Sequence, residues 1–365
     1  MGIRRATAKY EAWLGRHISL VKADLDLKHE RMRDGPFPFL RATFYRWAQI
    51  WPEVCKELAS APAILAVGDL HVENFGTWRD AEGRLIWGIN DFDEAWRLPY
   101  ANDLVRLAAS ANLATRGGHL AIDAKRAAEA ILKGYRDGIE AGGRAFVMAE
   151  HHLALRAMAE HRLKDPGVFW KKLDGLPSIR GSPPASAVKA LRRMLPEAEL
   201  PMRIVHRVAG LGSLGRQRFV AIVDWRGGRI AREAKAMAPS ACLWDAGKKA
   251  SRRILYQEIL NRSVRCPDPC VRLKGRWIVR RLSPDCGRIE LWELPAERDE
   301  KRLLRAMGWE TANVHLGSGK AREIGRHLAK LDRGWLHNAA GRMTEAAIEE
   351  WKSWKSNQTT HKEWG

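Results

Sequence analysis

The chain is 365 residues long and strongly basic, with 63 Lys and Arg against 43 Asp and Glu and a formal net charge of +20. That length buries a sizeable core, enough for one two-lobed domain or two domains, and the charge favours anionic partners, from nucleotide phosphates to nucleic acid. No run of eighteen apolar residues offers a membrane span, and MGIRRATAKY lacks both the apolar stretch of a secretion signal and, with Ala6, the Ser or Thr of a myristoylation site, so a cytoplasmic protein without a membrane partner is expected.

The first 60 or so residues read as helices interrupted at Asp34-Gly35-Pro36 and at Pro38, with Phe37, Phe39, Phe44 and Trp47 packing them onto the larger part of the molecule. Two short apolar runs, AILAV (63–67) and LIWGI (85–89), are β-compatible, and residues 79–83 between them form a turn. Polar residues cluster at the ends of both runs. In VGDLHVENFG (67–76) Asp69 and Asn74 stand five apart, and Asp91 of INDFDEA (89–95) lies 22 beyond Asp69.

The residue types suit phosphoryl transfer. A hydroxyl attacking a γ-phosphate needs a carboxylate to orient it and take its proton, the place of Asp69 in D-x-x-x-x-N. Magnesium wants hard oxygen ligands, which Asn74 and Asp91 supply from strand ends expected to be adjacent, with Asp93 available to a second ion.

Three helical segments are expected from Asn102 to about Asp165, with Asp103 as an acid in the first turn. Within them Glu150, His151, His152 and His161 read as a solvated helix face, because the H-E-x-x-H order is absent. Gly181-Ser182-Pro183-Pro184 is the clearest linker, and a short helix over 185–195 comes after it.

Gly210, Gly212, Ser213 and Gly215 then spell G-x-G-S-x-G between an apolar run and an alternating run over 217–224, succeeded by a Gly227-Gly228 turn and a third run that carries Lys235. A dinucleotide fold needs a helix after the third glycine. A β-branched and aromatic run stands there instead, so the segment reads as a glycine-rich turn over phosphates with Lys235 gripping the α and β phosphates of ATP. Glu258, in a helical stretch over 248–261, is the candidate partner of that lysine. Residues 277–282 and 289–294 read as strands, the second as a hinge for an adenine edge. Residues 321–336 form an amphipathic helix, and Trp351 and Trp354 before the polar tail are candidates for an exposed contact. The five cysteines, Cys55, Cys242, Cys266, Cys270 and Cys286, read as free thiols, since the last three lack the spacing and the His of a zinc knuckle.

The two motifs resemble the aminoglycoside-phosphotransferase and choline-kinase branch of the protein-kinase-like superfamily, whose loop reads H-G-D-x-H-x-x-N and then I-D-F-x-D/E-A. Gly68, Asp69, His71, Asn74, Asp91, Phe92, Glu94 and Ala95 match, as does Asp103 in PYANDLVRLAAS, while Val67 stands where the family has His. The helix over 321–336 resembles the one that precedes the catalytic loop in phosphotransferases, yet here it comes near the end of the chain. Only 68 residues precede Asp69, too few for a nucleotide lobe. The elements therefore keep kinase cyclic order, cut between that helix and the loop, as a circular permutation allows where termini are close. The resemblance implies an α+β, two-lobed, circularly permuted protein-kinase-like fold. Its expected parts are a helical segment 1–60, the catalytic-loop part of the large lobe 61–180, the glycine-turn lobe 185–295, completing helices 296–356 and a tail 357–365.

The chain also resembles a bacterial domain-of-unknown-function family, number 2252, through Phe39-Leu40-Arg41, residues 68–76, 90–94 and 210–215. The expected function is an ATP- and magnesium-dependent phosphotransferase acting on a hydroxyl of an unknown small-molecule acceptor. The alternatives are a nucleotide-binding pseudokinase or nucleic-acid-binding regulator, and a nucleotidyl transferase that delivers AMP.

Overall fold

A computed structural model of the chain describes residues 1–148, 156, 165–179, 181–244, 251–287 and 300–356. Glu150, His151, His152, His161, the run 289–294 and the tail 357–365 lie outside the described residues. The described elements, in chain order, begin with helices α1 Ile3–Gly15, α2 Lys22–Arg31, α3 Pro36–Ala42 and α4 Phe44–Val54. Strands β1 Ala63–Ala66, β2 Phe75–Arg79, β3 Leu85–Ile89 and β4 Trp96–Pro99 come next, then α5 Tyr100–Arg116, α6 Ala124–Glu140, β5 Phe146–Val147, α7 Pro166–Asp174 and α8 Ala185–Arg192. Strands β6 Arg203–His206, β7 Arg218–Trp225 and β8 Gly228–Ala236 precede α9 Tyr256–Arg262, β9 Arg272–Lys274 and β10 Trp277–Leu282, and α10 Glu300–Leu316, α11 Ala321–Leu328 and α12 Trp335–Ser356 close the chain. The class is α+β, as the alternation of helical and strand patterns implies.

The largest sheet is antiparallel with the order β6-β7-β8-β10-β9. Its central hairpin turns through Arg226 and Gly227, with φ of 47° and 79°, between paired Trp225 and Gly228. Two residues at positive φ match the right-handed twist of the strands they join. Side chains alternate across this sheet. On one face Phe219, Ala221, Ala234, Ala236, Trp277 and Val279 are buried toward the side of α8, where Ser186 Oγ accepts from Trp277 Nε1 at 3.1 Å. On the other, Val205, Val220, Ile222 and Ala231 pack with Phe169 and Leu173 of α7. The same face continues into charge, with Arg218, Glu233, Lys235 and Arg280 on successive rungs.

The helical part is built around α5, which is buried on nearly every side. Its small and apolar residues allow this, and the two charged residues inside it, Asp103 and Arg106, are fully buried. Helices α6 and α10 approach closely because glycines meet: a Cβ on Gly308 would lie 2.0 Å from the Ile131 carbonyl oxygen, and one on Gly134 1.9 Å from that of Arg305.

Several local expectations need correction. Pro38 does not break the N-terminal helices. It lies in the first turn of α3 behind Pro36, where missing N–H groups have no helical partner to lose. Residues 75–79, not foreseen as a strand, pair with 85–89, so 79–85 is a hairpin turn. Strand β1 pairs with β4 and β3 with β2, so the two acidic motifs stand at the ends of strands in different sheets. The stretch 321–336 is not one helix: α11 ends at Leu328 and α12 starts at Trp335. The helix that adjoins entry into the Asp69 loop is α10, since Ser318 Oγ, two residues after it, accepts the Leu65 N–H at 2.8 Å. Trp354 is buried beneath the first helix, with the Arg4 guanidinium 4.8 Å over its ring, so both ends of the described chain meet. No described helix is long and apolar enough to cross a membrane.

The close approach of α6 and α10 generates a stability prediction. Gly308→Ala forces a methyl into backbone and should cost about 2 kcal/mol or more, whereas Gly341→Ala on α12, with open space around it, should be neutral or stabilising by up to about 1 kcal/mol. Chemical denaturation of the two variants measures the difference.

Candidate functional site

The loop after β1 is fixed from below by α5. Val67 and Gly68 donate their backbone N–H groups to Asp103, at 2.7 Å to Oδ2 and 3.0 Å to Oδ1. His315 of α10 meets Asp103 Oδ2 through Nε2 at 3.0 Å, and its Nδ1 lies 2.9 Å from the Tyr135 hydroxyl. With Nε2–H donating to the carboxylate, Nδ1 is the acceptor of the Tyr135 proton. Gly68, at φ 84°, is required here, because a Cβ would lie 2.4 Å from the Glu94 carbonyl oxygen. The loop then closes on itself: Asn74 Nδ2 donates to the Asp69 carbonyl at 2.6 Å and Asn74 N–H to that of His71 at 2.8 Å. His71 Nδ1 accepts the Glu73 N–H at 3.2 Å, and Arg41 pairs with Glu73 at 2.5 Å.

Asp69 is held by Arg106, whose Nε donates to Oδ1 at 2.9 Å and whose Nη2 reaches both Oδ1 and the Leu40 carbonyl. The guanidinium lies over the rings of Phe44 and Trp47, 5.1 and 4.9 Å from their centroids. Burial pushes the Asp69 carboxyl up to about 6 against the pull of Arg106, and nearby Asp91 adds to the rise.

Asp91 and Asp93 receive Lys235 of β8, whose Nζ lies 3.4 Å from Asp91 Oδ1 and 2.6 Å from Asp93 Oδ1. Burial lowers the lysine's pKa, and the two carboxylates oppose that. Arg216 spans the next pair, with Nη1 3.5 Å from Asp93 and Nη2 donating to Glu94 Oε1 at 2.8 Å. Glu94 also accepts the Ala241 N–H at 2.6 Å, and burial raises its carboxyl to about 7.

The glycine turn lies across this junction. Gly210 and Gly215 take φ of 74° and 91°. Gly212 comes so close that a Cβ would sit 2.9 Å from the Arg41 carbonyl oxygen and 3.3 Å from Asp69 Oδ2. Lys28 Nζ donates to the Gly212 carbonyl at 3.2 Å. Asp69, Asn74, Asp91, Asp93, Gly212 and Ser213 thus surround a cavity of about 40 Å³. Gly210 also borders a second, larger cavity of about 720 Å³ under the sheet.

The small cavity suits a cation with one or two waters and excludes a triphosphate. Among the described residues no three of His, Cys, Asp and Glu converge as a metal site, which also leaves Cys266, Cys270 and Cys286 without one. The oxygen set present is two carboxylates and the Asn74 amide, whose nitrogen is engaged by Asp69 and whose oxygen remains a donor to a metal. That composition fits magnesium, which keeps several of its waters.

Of the residues singled out from sequence, Asp69, Asn74, Asp91, Asp93, Gly210, Gly212 and Ser213 line one cavity, and Lys235 reaches it through the two aspartates. Gly215 carries the turn past Leu25. Glu258 stands apart: it pairs with Arg253 at 2.7 Å and Arg262 at 3.2 Å on the outer side of α9, while Lys235 is taken by the aspartates. Sequence reading misses Arg106, Arg216, Lys28 and Glu233. For Arg106 a signal exists, since a basic residue three after Asp103 in an otherwise apolar helix requires a buried acidic partner.

A family model described as an uncharacterized protein conserved in bacteria (DUF2252) matches residues 20–165. That stretch holds Arg41, Asp69, Asn74, Asp91 and Asp93 and ends before the glycine turn. No curated protein and no solved structure gives a significant match.

The Asp103 brace yields a prediction. Asp103→Ala strips the acceptor from two buried N–H groups and should cost about 3 kcal/mol or more. Asp103→Asn, which keeps one carbonyl oxygen, should lose less, as read by urea unfolding of both variants.

Proposed function

We propose that the chain is an ATP- and magnesium-dependent phosphotransferase acting on a hydroxyl of a small-molecule acceptor, on a circularly permuted two-lobed scaffold of the protein-kinase kind. One observation carries this reading. Lys235 and Asp91, 144 positions apart, meet at 3.4 Å, with Asp93 at 2.6 Å. A lysine on the second strand after a glycine turn, opposite an aspartate that comes after a D-x-x-x-x-N loop, is the arrangement phosphoryl transfer uses to position phosphates and metal.

Bound ATP with magnesium would supply the transferable γ-phosphoryl group. Asp69 then orients the acceptor hydroxyl and takes its proton as the new O–P bond forms and the bond from the γ-phosphorus to the β,γ-bridging oxygen breaks, releasing ADP. Arg106 holds that carboxylate in place and favours its ionised form. Asn74, Asp91 and Asp93 would hold the magnesium ion through their oxygens, and Lys235 would neutralise phosphate charge beside it. Gly212 lets backbone approach where any side chain would block it.

A second reading, a nucleotide-binding pseudokinase, is favoured by the closeness of Gly212 to Asp69. A basic regulator that holds nucleic acid rests on net charge alone. Transfer of AMP uses the same groups and is separated by whether γ- or α-labelled ATP marks the acceptor.

Magnesium-ATP should raise the thermal midpoint of the wild type, and Lys235→Ala and Asp91→Ala should each abolish the rise while remaining folded. A rise retained in Asp91→Ala removes that residue from the site. Transfer should increase with pH through about 6 as Asp69 ionises. Arg106→Gln, which removes the cation favouring the carboxylate, should move that limb upward, and Asp69→Asn should slow transfer by roughly 100- to 10,000-fold.

A further inference from the structure

The cleft face of the large sheet is divided into two unlike halves. Its apolar half, Val205, Val220, Ile222 and Ala231, is already covered by Phe169 and Leu173 of α7. Its other half is charged and borders the cavity of about 720 Å³, a size suited to a small ligand and too small for a nucleic-acid duplex. On that half three arginines converge on one carboxylate. Glu233 Oε1 accepts from Arg218 Nη1 at 2.7 Å and from Arg280 Nε at 2.9 Å, and Arg207 Nη1 pairs with Oε2.

The balance of charge there is positive. Three guanidiniums and one carboxylate leave +3 − 1 = +2, and Glu233 is ionised: burial pushes its carboxyl up, but Arg218, Arg207 and Arg280 outweigh that and hold it well below the ordinary range. Arginine cannot shed its proton to relieve the crowding. Among the described residues that line the cavity, seven are cationic and one, Asp268, is acidic. Arg280 uses only Nε on Glu233, and its two terminal nitrogens bond nothing among the described residues. Arg265, stacked over Trp78 and Phe92 at 4.5 and 5.2 Å, has Nε and Nη1 buried with no hydrogen-bond partner among the described residues. Guanidinium forks with free N–H pairs match phosphate oxygens bidentately. Arg218 Nη2 also donates to Ser213 Oγ at 2.7 Å, tying this cluster to the glycine turn.

We propose that the cavity takes an oligophosphate chain, gripped by Arg207, Arg218 and Arg280 around Glu233, and that the ligand is recognised through its phosphates and not through a base. The chain runs from the arginines toward Lys235, which lies one rung along the same face, opposite Arg218. The apolar half of the sheet face is filled by α7, and of the aromatic rings that line the cavity from the other side, Trp78 and Phe92 lie under the Arg265 guanidinium, with Tyr256 beside them. The shared chemistry has two sources, a nucleoside triphosphate of any base or inorganic polyphosphate. The inference deepens the proposed phosphotransferase and rests on it for the ligand's role as donor, while its test reads binding alone.

The test is isothermal titration of the full chain with inorganic tripolyphosphate, ATP and GTP, with and without magnesium. The three ligands should bind within roughly tenfold of one another, and Arg280→Gln and Arg207→Gln should each weaken tripolyphosphate about tenfold or more. Circular dichroism and the thermal midpoint check each variant's fold, and Arg207, the more exposed of the pair, serves if Arg280→Gln does not fold. Tripolyphosphate binding more tightly than either nucleotide assigns the inorganic source, and equal ATP and GTP binding above it assigns nucleotides. Binding of ATP without GTP or tripolyphosphate, or of none of them, overturns the inference. Affinity retained in both arginine variants and lost in Lys235→Ala overturns it too, while leaving the proposed activity standing. Arginine-dependent binding without γ-phosphoryl transfer sustains it and removes that activity.

Discussion

The contact between Lys235 and the Asp91–Asp93 pair is the constraint on which the rest of the molecule depends, because it is where the sheet meets the helical part. Its contribution is to position and not primarily to stability. Burying an ammonium and two carboxylates costs desolvation that their attraction only partly returns, and an apolar replacement of similar shape would hold the two parts together as well. The charges persist in a junction that also contains Arg216 and Glu94, all largely buried. Such a network is costly to leave half made, so each member fixes the others. A ligand carrying negative charge or a cation entering here meets groups already oriented by their neighbours.

The same logic explains how the Asp69 loop is held with a valine, Val67, as its first residue. The loop is not held by a side chain of its own first residue. Backbone N–H groups of Val67 and Gly68 are caught by Asp103, and Asp103 is backed by His315 and Tyr135. This brace joins α5, α6 and α10, the last of which lies more than 200 positions beyond the loop in the chain. The rigidity of the loop is therefore a property of the helical core, which the close packing of Gly134 and Gly308 makes compact.

How far the sequence is legible depends on how local each signal is. Asp69, Asn74, Asp91 and Asp93 sit at strand ends, where a short apolar run and a motif fix position together. Lys235 is reachable because alternation along β7 and β8 and the turn at Gly227 set its register. The ion-pair partner of Lys235 is not reachable locally: a nearby helical stretch offers Glu258, and no local pattern reports that the lysine instead pairs with Asp91 and Asp93 on the far side of the chain's order. Strand β2 is hidden because Phe75–Arg79 directly succeeds the loop and its glycine weakens a strand pattern. The broken helix over 321–336 shows the opposite failure, in which continuous amphipathic spacing conceals a turn. Arg216 and Arg218 stand at the start of an apolar run, and their place on a buried face requires acidic partners that no neighbouring residue supplies.

The glycine turn is closed by residues that belong to neither the sheet nor the Asp69 loop. Val21 donates its N–H to the Gly215 carbonyl at 2.8 Å, Leu25 packs under Gly215, and Lys28 holds the Gly212 carbonyl. Each of these bonds contributes on the order of 1 kcal/mol net, so the closure is weak beside the fold it rests on. Lys28 is buried and pushed down to about 8, and no described carboxylate lies within ion-pair distance of its ammonium. A buried cation held by one carbonyl oxygen and, at 6.0 Å, the face of the Tyr45 ring is better satisfied by an anion. Closure therefore leaves one charge poorly matched on the side of the cavity that faces Asp69. A ligand can open such a turn only by binding the open arrangement more tightly than the closed one. Phosphate oxygens brought near Lys28 would supply that difference, which makes the N-terminal helices part of the site's electrostatics and not a cover laid over it.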